Sequence, residues 1–223
     1  MRVIAGSARG RPLRAPPSAH IRPTSDKIKE VIFSMLEAEA YRRGYAPEPG
    51  DEQGEGRFAA AVAWPRVLEL YAGSGALAIE ALSRGAEQAD LVELDPAARK
   101  VAAENLARAG LADRAAVHAG TSEVAVSTLV GPYDLILVDP PYDEPGVPVL
   151  LERLAARGRV GPSAVLVWEH RRSTVPPDRI GGRDARSERA ALRGTSAGRG
   201  WRRVKTNQHG AAAVSLYVAA DGE

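Results

Sequence analysis

The chain has 223 residues, of which 44% are hydrophobic and 26% are charged, and this composition fits one α/β domain with a small appendage. It contains no cysteine, which excludes disulfides, thiolate nucleophiles and cysteine-ligated zinc. Its apolar runs have strand length, and residues 1–20 are rich in Arg and Pro. We therefore expect neither a transmembrane span nor a secretory signal, and a cytoplasmic protein.

The charges are segregated along the chain, although the net formal charge is only +2. Residues 2–30 carry seven basic and two acidic side chains, and residues 171–205 carry eleven basic and three acidic ones. Two basic flanks on a nearly neutral body favour a polyanionic partner such as a nucleic acid. Ordinary solvated charge is the alternative explanation for either run alone.

The first 40 residues predict a basic arm followed by a helix. Glycines and prolines interrupt residues 2–23, which indicates an extended or hairpin-like arm. Apolar residues then recur with helical spacing from Ile28 to Leu36, so we predict an amphipathic helix over about 25–40. Thr24, Ser25 and Asp26 are all possible N-caps, and hydroxyls at a helix start can also bind an anion such as a cofactor carboxylate.

Residues 44–63 hold glycines, prolines and acids that a core does not use, so we interpret residues 41–64 as a flexible insertion. A domain is predicted over residues 65–223, and strand and helix patterns alternate in it up to residue 168. The predicted strands are 66–71, 89–93, 115–118, 133–138 and 164–168. A helix is predicted after each of the first four strands. The second, third and fourth of these helices span 96–109, 122–130 and 147–157. This order predicts a parallel, doubly wound sheet.

The C-terminal part of the chain begins with an Arg- and Gly-rich stretch, residues 171–200, which we interpret as a loop or partly disordered. Strands predicted over 201–206 and 212–219 then form an antiparallel hairpin, joined by residues 207–210. The expected sheet therefore has seven strands.

A glycine-rich turn follows the first predicted strand. Gly73-x-Gly75-x-x-Ala78 opens a helix, and Glu93 ends the next strand twenty residues later. The glycines let the backbone approach a ligand, and the acid can bind ribose hydroxyls. This pattern alone fits a nicotinamide cofactor as well as S-adenosylmethionine. Glu69, at the tip of the first strand, favours S-adenosylmethionine because its carboxylate suits the cationic methionine end.

The fourth predicted strand ends in Asp139-Pro140-Pro141-Tyr142. The prolines stiffen the turn, so the Asp139 carboxylate and the Pro140 carbonyl can accept hydrogen bonds from one NH₂ group. Tyr142 offers a flat face on which a nucleobase can stack. A solvated acid before an ordinary Pro-Pro turn is the alternative. Because the tetrapeptide directly follows a buried strand, it predicts a binding site for an exocyclic amine. Hydride transfer does not need such a site.

Several motifs together resemble a known family. The turn after the first strand and Asp139-Pro140-Pro141-Tyr142 resemble class I methyltransferases that modify base amino groups. The finer pattern resembles the bacterial 16S ribosomal RNA guanine-N2 methyltransferases of the RsmD family over roughly residues 1–40 and 65–170 and the final strand. The matching segments are Arg2-Val3-Ile4-Ala5-Gly6, Arg9-Gly10-Arg11, Arg22-Pro23-Thr24-Ser25-Asp26 and Leu82-Ser83-Arg84-Gly85-Ala86.

The resemblance implies a Rossmann-like fold and methyl transfer from S-adenosylmethionine to the N2 amino group of a guanine in 16S ribosomal RNA, of the guanine-966 type. It gives Asp139, Pro140, Pro141 and Tyr142 the catalytic role. The chain has Gly120-Thr121-Ser122 where such enzymes often carry an acid near the adenine amine. The expected cofactor residues are Thr24, Glu69, Tyr71, Ala72, Gly73, Ser74, Gly75, Glu93, Leu94 and Thr121.

The expected partner is ribosomal RNA or the small ribosomal subunit, contacted by Arg9, Arg11, Arg14 and Arg22 of the arm. We expect a monomer with no metal, since the four histidines lack ligand spacing, and with no membrane association. An adenine-N6 or other base amino-methyltransferase on RNA or DNA shares every catalytic residue. A nicotinamide-dependent oxidoreductase and a non-catalytic RNA-binding protein are the alternatives from other classes.

Overall fold

The computed structural model describes residues 1–17, 24–50, 56–141, 144–182 and 199–220. One sheet of eight strands runs through this part of the chain in the order β3-β2-β1-β4-β5-β8-β7-β6. The strands are β1 Arg66–Leu70, β2 Gln88–Glu93, β3 Ala115–Ala119, β4 Tyr133–Val138, β5 Val160–Arg171, β6 Arg179–Gly181, β7 Gly200–His209 and β8 Ala212–Ala220.

Strands β1 to β5 pair in parallel, and β8, β7 and β6 continue the sheet in antiparallel pairs. Both faces of the parallel part are covered, which explains why its strands are continuous apolar runs. This arrangement confirms the predicted Rossmann-like fold. The helices are α1 Asp26–Arg42, α2 Ala59–Ala63, α3 Ala76–Ser83, α4 Pro96–Ala109, α5 Ser122–Thr128 and α6 Val147–Ala156, with a 3₁₀ turn at Ala112–Arg114.

Several local predictions differ from the structure, among them strand β5, which spans Val160–Arg171 and is longer than predicted. Strand β6 is an eighth strand inside the stretch interpreted as loop, and within the described residues it pairs with β7 alone. Strands β7 and β8 extend further than predicted, so that the connection shortens to Gly210 and Ala211. The flexible-insertion interpretation is wrong for Ala59–Ala63, because these residues form α2, whose first three alanines are buried. Residues 51–55 and 183–198 lie outside the described part.

The N-terminal arm folds as a small hairpin on helices α3 and α4. The Val3 amide donates to the Arg11 carbonyl over 3.0 Å, and the Gly10 amide donates to the Val3 carbonyl over 2.9 Å. Between them Gly6 has a φ of +83°, and a Cβ at this position would lie 1.7 Å from the Ser83 carbonyl oxygen. Only glycine allows this close approach to the end of α3.

A buried glutamate of α3 anchors the arm. Glu80 accepts hydrogen bonds from the Ile4 amide at 2.7 Å and the Ala5 amide at 3.0 Å, and its side chain has no solvent exposure. Arg84 donates to the same carboxylate at 2.9 Å, while the fully buried Lys29 ammonium of α1 lies 3.9 Å away. Two cationic side chains thus compensate the buried carboxylate. The arm, α1 and α3 therefore form one unit.

Candidate functional site

The chain reverses its winding direction between β1 and β4. From β1 the chain proceeds to β2 on one side, whereas β4 lies on the other side, with Leu70 paired to Val138 and Val92 to Leu70. Open α/β sheets bind ligands at the carboxyl end of the strands where the order reverses. The turn after β1 and the Asp139 turn after β4 both lie at this edge.

The glycine turn after β1 is a tight backbone cradle. Gly73 and Gly75 have φ angles of +53° and +74°. A Cβ on Gly75 would lie 2.8 Å from a methyl carbon of Leu91, so both conformation and packing require glycine there. Tyr71 has a φ of +60°, which costs a non-glycine residue about 1–3 kcal/mol. The turn between Ala72 and α3 thus brings the backbone to the sheet edge.

Glu93 fixes this turn from the neighbouring strand. Its carboxylate accepts a hydrogen bond from the Gly73 amide at 2.7 Å and another from the Asp95 amide at 2.8 Å. A carboxylate has about four lone-pair sites, so Glu93 can still accept hydrogen bonds from ribose hydroxyls. The next residue, Leu94, is 62% exposed and offers an apolar surface beside it. This geometry fits the cofactor roles predicted for both residues, which remain predictions.

Glu69 holds the start of α3. It is buried and accepts hydrogen bonds from the Ala78 amide at 3.0 Å and the Leu77 amide at 3.4 Å. Burial raises the pKa of Glu69 to about 8, to which the nearby negative charges of Asp139 and Glu93 contribute. Its predicted contact with the methionine end of the cofactor remains a prediction. The charges of Asp139 and Glu93 create a negative potential that fits a cationic ligand group.

The raised pKa of Glu69 predicts a pH-dependent stability. Below pH 4.5 the carboxyl is protonated in both states, and from there up to about pH 8 only the folded protein keeps the proton. The unfolding free energy should therefore fall across this window, by at most about 1.4 kcal/mol per pH unit. Glu69→Gln cannot titrate, so its stability relative to wild type should increase from pH 5 to pH 8.

Urea unfolding of both proteins between pH 5 and 9, without cofactor, measures this difference. Glu30→Gln removes an exposed glutamate of α1 and is the matched control, whose curve should stay parallel to that of the wild type. Parallel curves for Glu69→Gln would contradict the assignment.

Asn105 was missed in the sequence, and it links the arm to the glycine turn. This fully buried side chain of α4 donates to the Ser74 carbonyl at 3.0 Å and to the Arg14 carbonyl at 2.9 Å. Its oxygen accepts the Arg14 amide at 2.9 Å. An Asn side chain on the buried face of an otherwise amphipathic helix is the sequence feature that could have indicated this link, because such a group needs hydrogen-bond partners.

The Asp139 turn follows β4 directly. Asp139 is partly buried, Pro140 is buried and Pro141 is exposed. The Thr24 hydroxyl donates to Asp139 Oδ2 at 2.7 Å. Of the three possible N-caps, Ser25 caps α1, because its Oγ accepts the Ile28 amide at 3.2 Å. Tyr142 and Arg22 lie outside the described residues.

The remaining predicted residues occupy separate positions. Thr121 caps α5, and the neighbouring Gly120 amide donates to the Glu93 carbonyl at 3.4 Å. In the arm, Arg11 donates to the Arg108 carbonyl at 2.7 Å and Arg14 pairs with Glu104 at 3.3 Å. Arg9 is exposed. Thr121 therefore lies at the same sheet edge as Glu93, and the arm arginines lie on the outer surface next to α4.

A separate cavity of about 370 Å³ lies at the amino ends of β2 and β3. Its arginines are occupied by main-chain oxygens, since Arg57 donates to the Gly85 and Ala61 carbonyls and Arg114 to the Ala86 and Leu82 carbonyls. The cavity contains none of the residues of the glycine turn or the Asp139 turn. Position and chemistry therefore favour the carboxyl edge as the functional site.

Among the described residues, no three His, Asp or Glu side chains are grouped in a way that could hold a metal ion. The helices in this part of the chain also lack the length and apolar character that a membrane span requires. Sheet order, glycine turn and acids at the carboxyl edge together fit the Rossmann-like fold of class I methyltransferases.

Comparisons with known proteins identify the family. The model of the family described as "Conserved hypothetical protein 95" matches residues 1–193. "Putative rRNA methyltransferase YlbH" of Bacillus subtilis is 34% identical over 184 residues, which cover 81% of this chain and 88% of that protein. The chain belongs to this family, and its resemblance to the RsmD family is confirmed.

Two further similarities agree with this assignment. "Ribosomal RNA small subunit methyltransferase D" of Escherichia coli K12 is 34% identical over 149 residues, which cover 64% of this chain and 60% of that protein. A solved structure described as "Putative methyltransferase yhhF from Escherichia coli" superposes with a TM-score of 0.68 at 25% identity, covering 99% of this chain and 98% of that chain. The fold assignment thus extends over nearly the whole chain.

Proposed function

We propose that this protein methylates ribosomal RNA, transferring a methyl group from S-adenosylmethionine to the exocyclic N2 amino group of a guanine in 16S ribosomal RNA, of the guanine-966 type. One observation carries the proposal: the Asp139 turn follows β4, and β4 pairs with β1, the strand after which the glycine turn opens α3. A turn that can bind an amine and a turn that can bind the cofactor, placed after neighbouring strands, suit methyl transfer to a base amine. Membership of the RsmD family supports ribosomal RNA as the substrate.

The carboxyl edge fits the methyl donor. Gly73 and Gly75 let the backbone approach it, Glu93 can accept hydrogen bonds from its ribose, and exposed Leu94 can contact its adenine. The carboxylates of Glu93 and Asp139 favour its positive charge. When bound, S-adenosylmethionine supplies an electrophilic methyl group on a sulfonium.

The Asp139 turn orients the nucleophile. The lone pair of a guanine amino nitrogen is delocalised into the ring, which makes this nitrogen a poor nucleophile. Hydrogen bonds from its two protons to the Asp139 carboxylate and the Pro140 carbonyl favour a pyramidal nitrogen with its lone pair directed at the methyl carbon. The carboxylate also stabilises the positive charge that the nitrogen acquires as the new N–C bond forms and the methyl–sulfur bond breaks. The nitrogen then releases one proton to solvent, which leaves a neutral methylamino group and S-adenosylhomocysteine. Tyr142 is proposed to stack on the base, which must first leave its own stack.

Arm arginines are proposed to bind the RNA backbone next to the cofactor cradle. Asn105 holds the arm to the glycine turn, so phosphate contacts made by Arg9, Arg11 and Arg14 would place a target nucleotide near this edge. Arg22 is included by sequence alone. A ribosomal RNA substrate places the protein in the cytoplasm, and we propose that it acts as a monomer.

Neutralising the arm should weaken RNA binding. For Arg9→Gln, Arg11→Gln and Arg14→Gln together, we expect the slope of log affinity against log salt to fall by about 2–3, because each lost phosphate contact removes about 0.7–0.9. Filter binding at several salt concentrations measures the slope. Arg153→Gln with Arg157→Gln, on the exposed end of α6, is the control and should leave the slope unchanged. An unaltered slope in the arm variant would exclude the arm from the RNA interface.

Nucleoside mass spectrometry tests the reaction itself. Small-subunit ribosomal RNA from cells lacking the gene, both naked and in subunits, is incubated with the protein and S-adenosylmethionine carrying a labelled methyl group. We expect labelled N2-methylguanosine. Label on adenine alone would support methylation of a base amino group and refute guanine as the target. Absence of label on every RNA would favour a non-catalytic RNA-binding protein. Titration with NAD and with S-adenosylmethionine separates the oxidoreductase alternative.

A further inference from the structure

Three consecutive polar residues at the start of α1 have three different partners. Ser25 caps the helix by accepting the Ile28 amide. Asp26 accepts the Arg2 amide at 3.1 Å and pairs with Lys29 at 3.4 Å. Thr24 instead donates to Asp139, a residue 115 positions away. Ser25 thus performs the capping and Asp26 contacts the arm, whereas the hydroxyl of Thr24 is directed at the Asp139 turn.

We propose that Thr24 is a positioning residue that fixes the orientation of the Asp139 carboxylate for the incoming base amine. The inference rests on the function proposed above and extends it to α1. The 2.7 Å separation between Thr24 Oγ1 and Asp139 Oδ2 is that of a short hydrogen bond to a charged acceptor. A carboxylate has about four lone-pair sites, so it can accept from Thr24 and from an amine at the same time.

Local geometry explains why this contact matters. Pro140 biases the backbone of Asp139 towards an extended conformation, so the two side-chain torsions decide where its oxygens point. The second torsion of Asp is broad and not confined to staggered wells. Threonine is stiff at its first torsion because it is β-branched, so its hydroxyl is a well-placed clamp for one oxygen. Misplacing a catalytic group by about 1 Å can cost roughly 10²-fold in rate.

The charges around Thr24 disfavour its predicted contact with a cofactor carboxylate. Its hydroxyl proton is already directed at an anion, the Asp139 carboxylate. Glu69, whose pKa is raised by burial and by the charges of Asp139 and Glu93, lies in the same negative environment. A second carboxylate placed beside Asp139 would be repelled. Positioning of Asp139 is the role that this environment supports.

Thr24→Val removes the hydroxyl and keeps the branched shape, whereas Thr24→Ser keeps the hydroxyl. For Thr24→Val we expect kcat to fall about 10–100-fold, with the RNA KM and the S-adenosylhomocysteine Kd within about twofold of wild type. Thr24→Ser should recover most of kcat. Ser25→Ala is the structural control: it should lower the melting temperature by about 2–5 °C without changing kcat.

Two kinetic outcomes overturn the inference. Wild-type kcat in Thr24→Val would show that the contact is dispensable, and a weaker S-adenosylhomocysteine Kd with unchanged kcat would assign Thr24 to the cofactor. If the wild type labels no RNA, the proposed function fails, and crystal structures then test the contact by itself. Asp139 should occupy one rotamer in the wild type and several in Thr24→Val. A single unchanged rotamer in both structures would refute the positioning role.

Discussion

Asp139→Ala is expected to lower the rate of methyl transfer by at least about 10²–10³-fold, because it removes the carboxylate that binds the base amine and stabilises its developing charge. Single-turnover transfer of a labelled methyl group to ribosomal RNA measures the chemical step. Binding of S-adenosylhomocysteine should remain within a few-fold of wild type, since the glycine turn and Glu93 belong to β1 and β2.

Matched isosteres separate the charge of Asp139 from its hydrogen-bonding capacity. Asp139→Asn keeps one acceptor oxygen and the Pro140 carbonyl, so its rate should lie between those of the wild type and Asp139→Ala. Asp134→Asn changes the same residue type at the other end of β4, where Asp134 accepts the Arg66 amide at 3.2 Å, and should leave the rate unchanged. Transfer at the wild-type rate by Asp139→Ala would refute its catalytic role.

Local sequence signals determine most of the parallel half of the fold. Strand β4 was predicted with its observed bounds, because an apolar run ends at an acid followed by two prolines. Helix α4 was also predicted correctly, since Asp95 caps it, Pro96 occupies its first turn and Gly110 ends it with a φ of +74°. Each of these signals acts within a few residues of the boundary that it sets.

Elements whose existence depends on distant partners were missed. Strand β6 has three residues and pairs with β7, about twenty residues later, so its own sequence carries little strand signal. Helix α2 has five residues and is stabilised by packing against α1 after an acid-rich segment. Short elements of this kind are determined by tertiary contacts, which local propensity does not contain.

The candidate site shows the same division. Gly73, Gly75, Glu93 and Asp139 were predicted because strand ends and glycine turns have local signatures, and they lie at one edge of the sheet. The contact between Thr24 and Asp139 joins residues far apart in the chain, and the sequence offered only a hydroxyl near a helix start. Partner choice between distant side chains depends on packing that the local pattern does not specify.

Glu80→Ala is expected to destabilise the protein by about 3–5 kcal/mol, the usual cost of removing one partner from a buried ion pair. Burial lowers the pKa of Lys29, and the charge of Glu80 is the largest of the effects that oppose this. Without Glu80, the buried ammonium and the Arg84 guanidinium lose a common anion. The Ile4 and Ala5 amides lose their acceptor as well.

Thermal and urea unfolding measure this loss, and Glu104→Ala provides the matched control. Glu104 pairs with Arg14 of the same arm at the surface, where an exposed ion pair contributes about 0–1 kcal/mol. Amide exchange at Ile4 and Ala5 should accelerate in Glu80→Ala and stay slow in Glu104→Ala, because only Glu80 accepts these two amides. Equal destabilisation by the two substitutions would show that Glu80 does not anchor the arm.

The charge and the acceptor function of Glu80 can also be separated. The Ile4 and Ala5 amides donate to different oxygens of Glu80, so Glu80→Gln keeps an acceptor for one of them and leaves the Lys29 ammonium without this anion. Its loss of stability should therefore be smaller than that of Glu80→Ala. Combining Glu80→Gln with Lys29→Met removes the buried ammonium, which then has Asp26 as its remaining anion, and should recover part of the stability. Additive losses in this double-mutant cycle would mean that Lys29 and Glu80 are not energetically coupled. A positive coupling would instead identify the buried pair as the link that holds the N-terminal arm, α1 and α3 together.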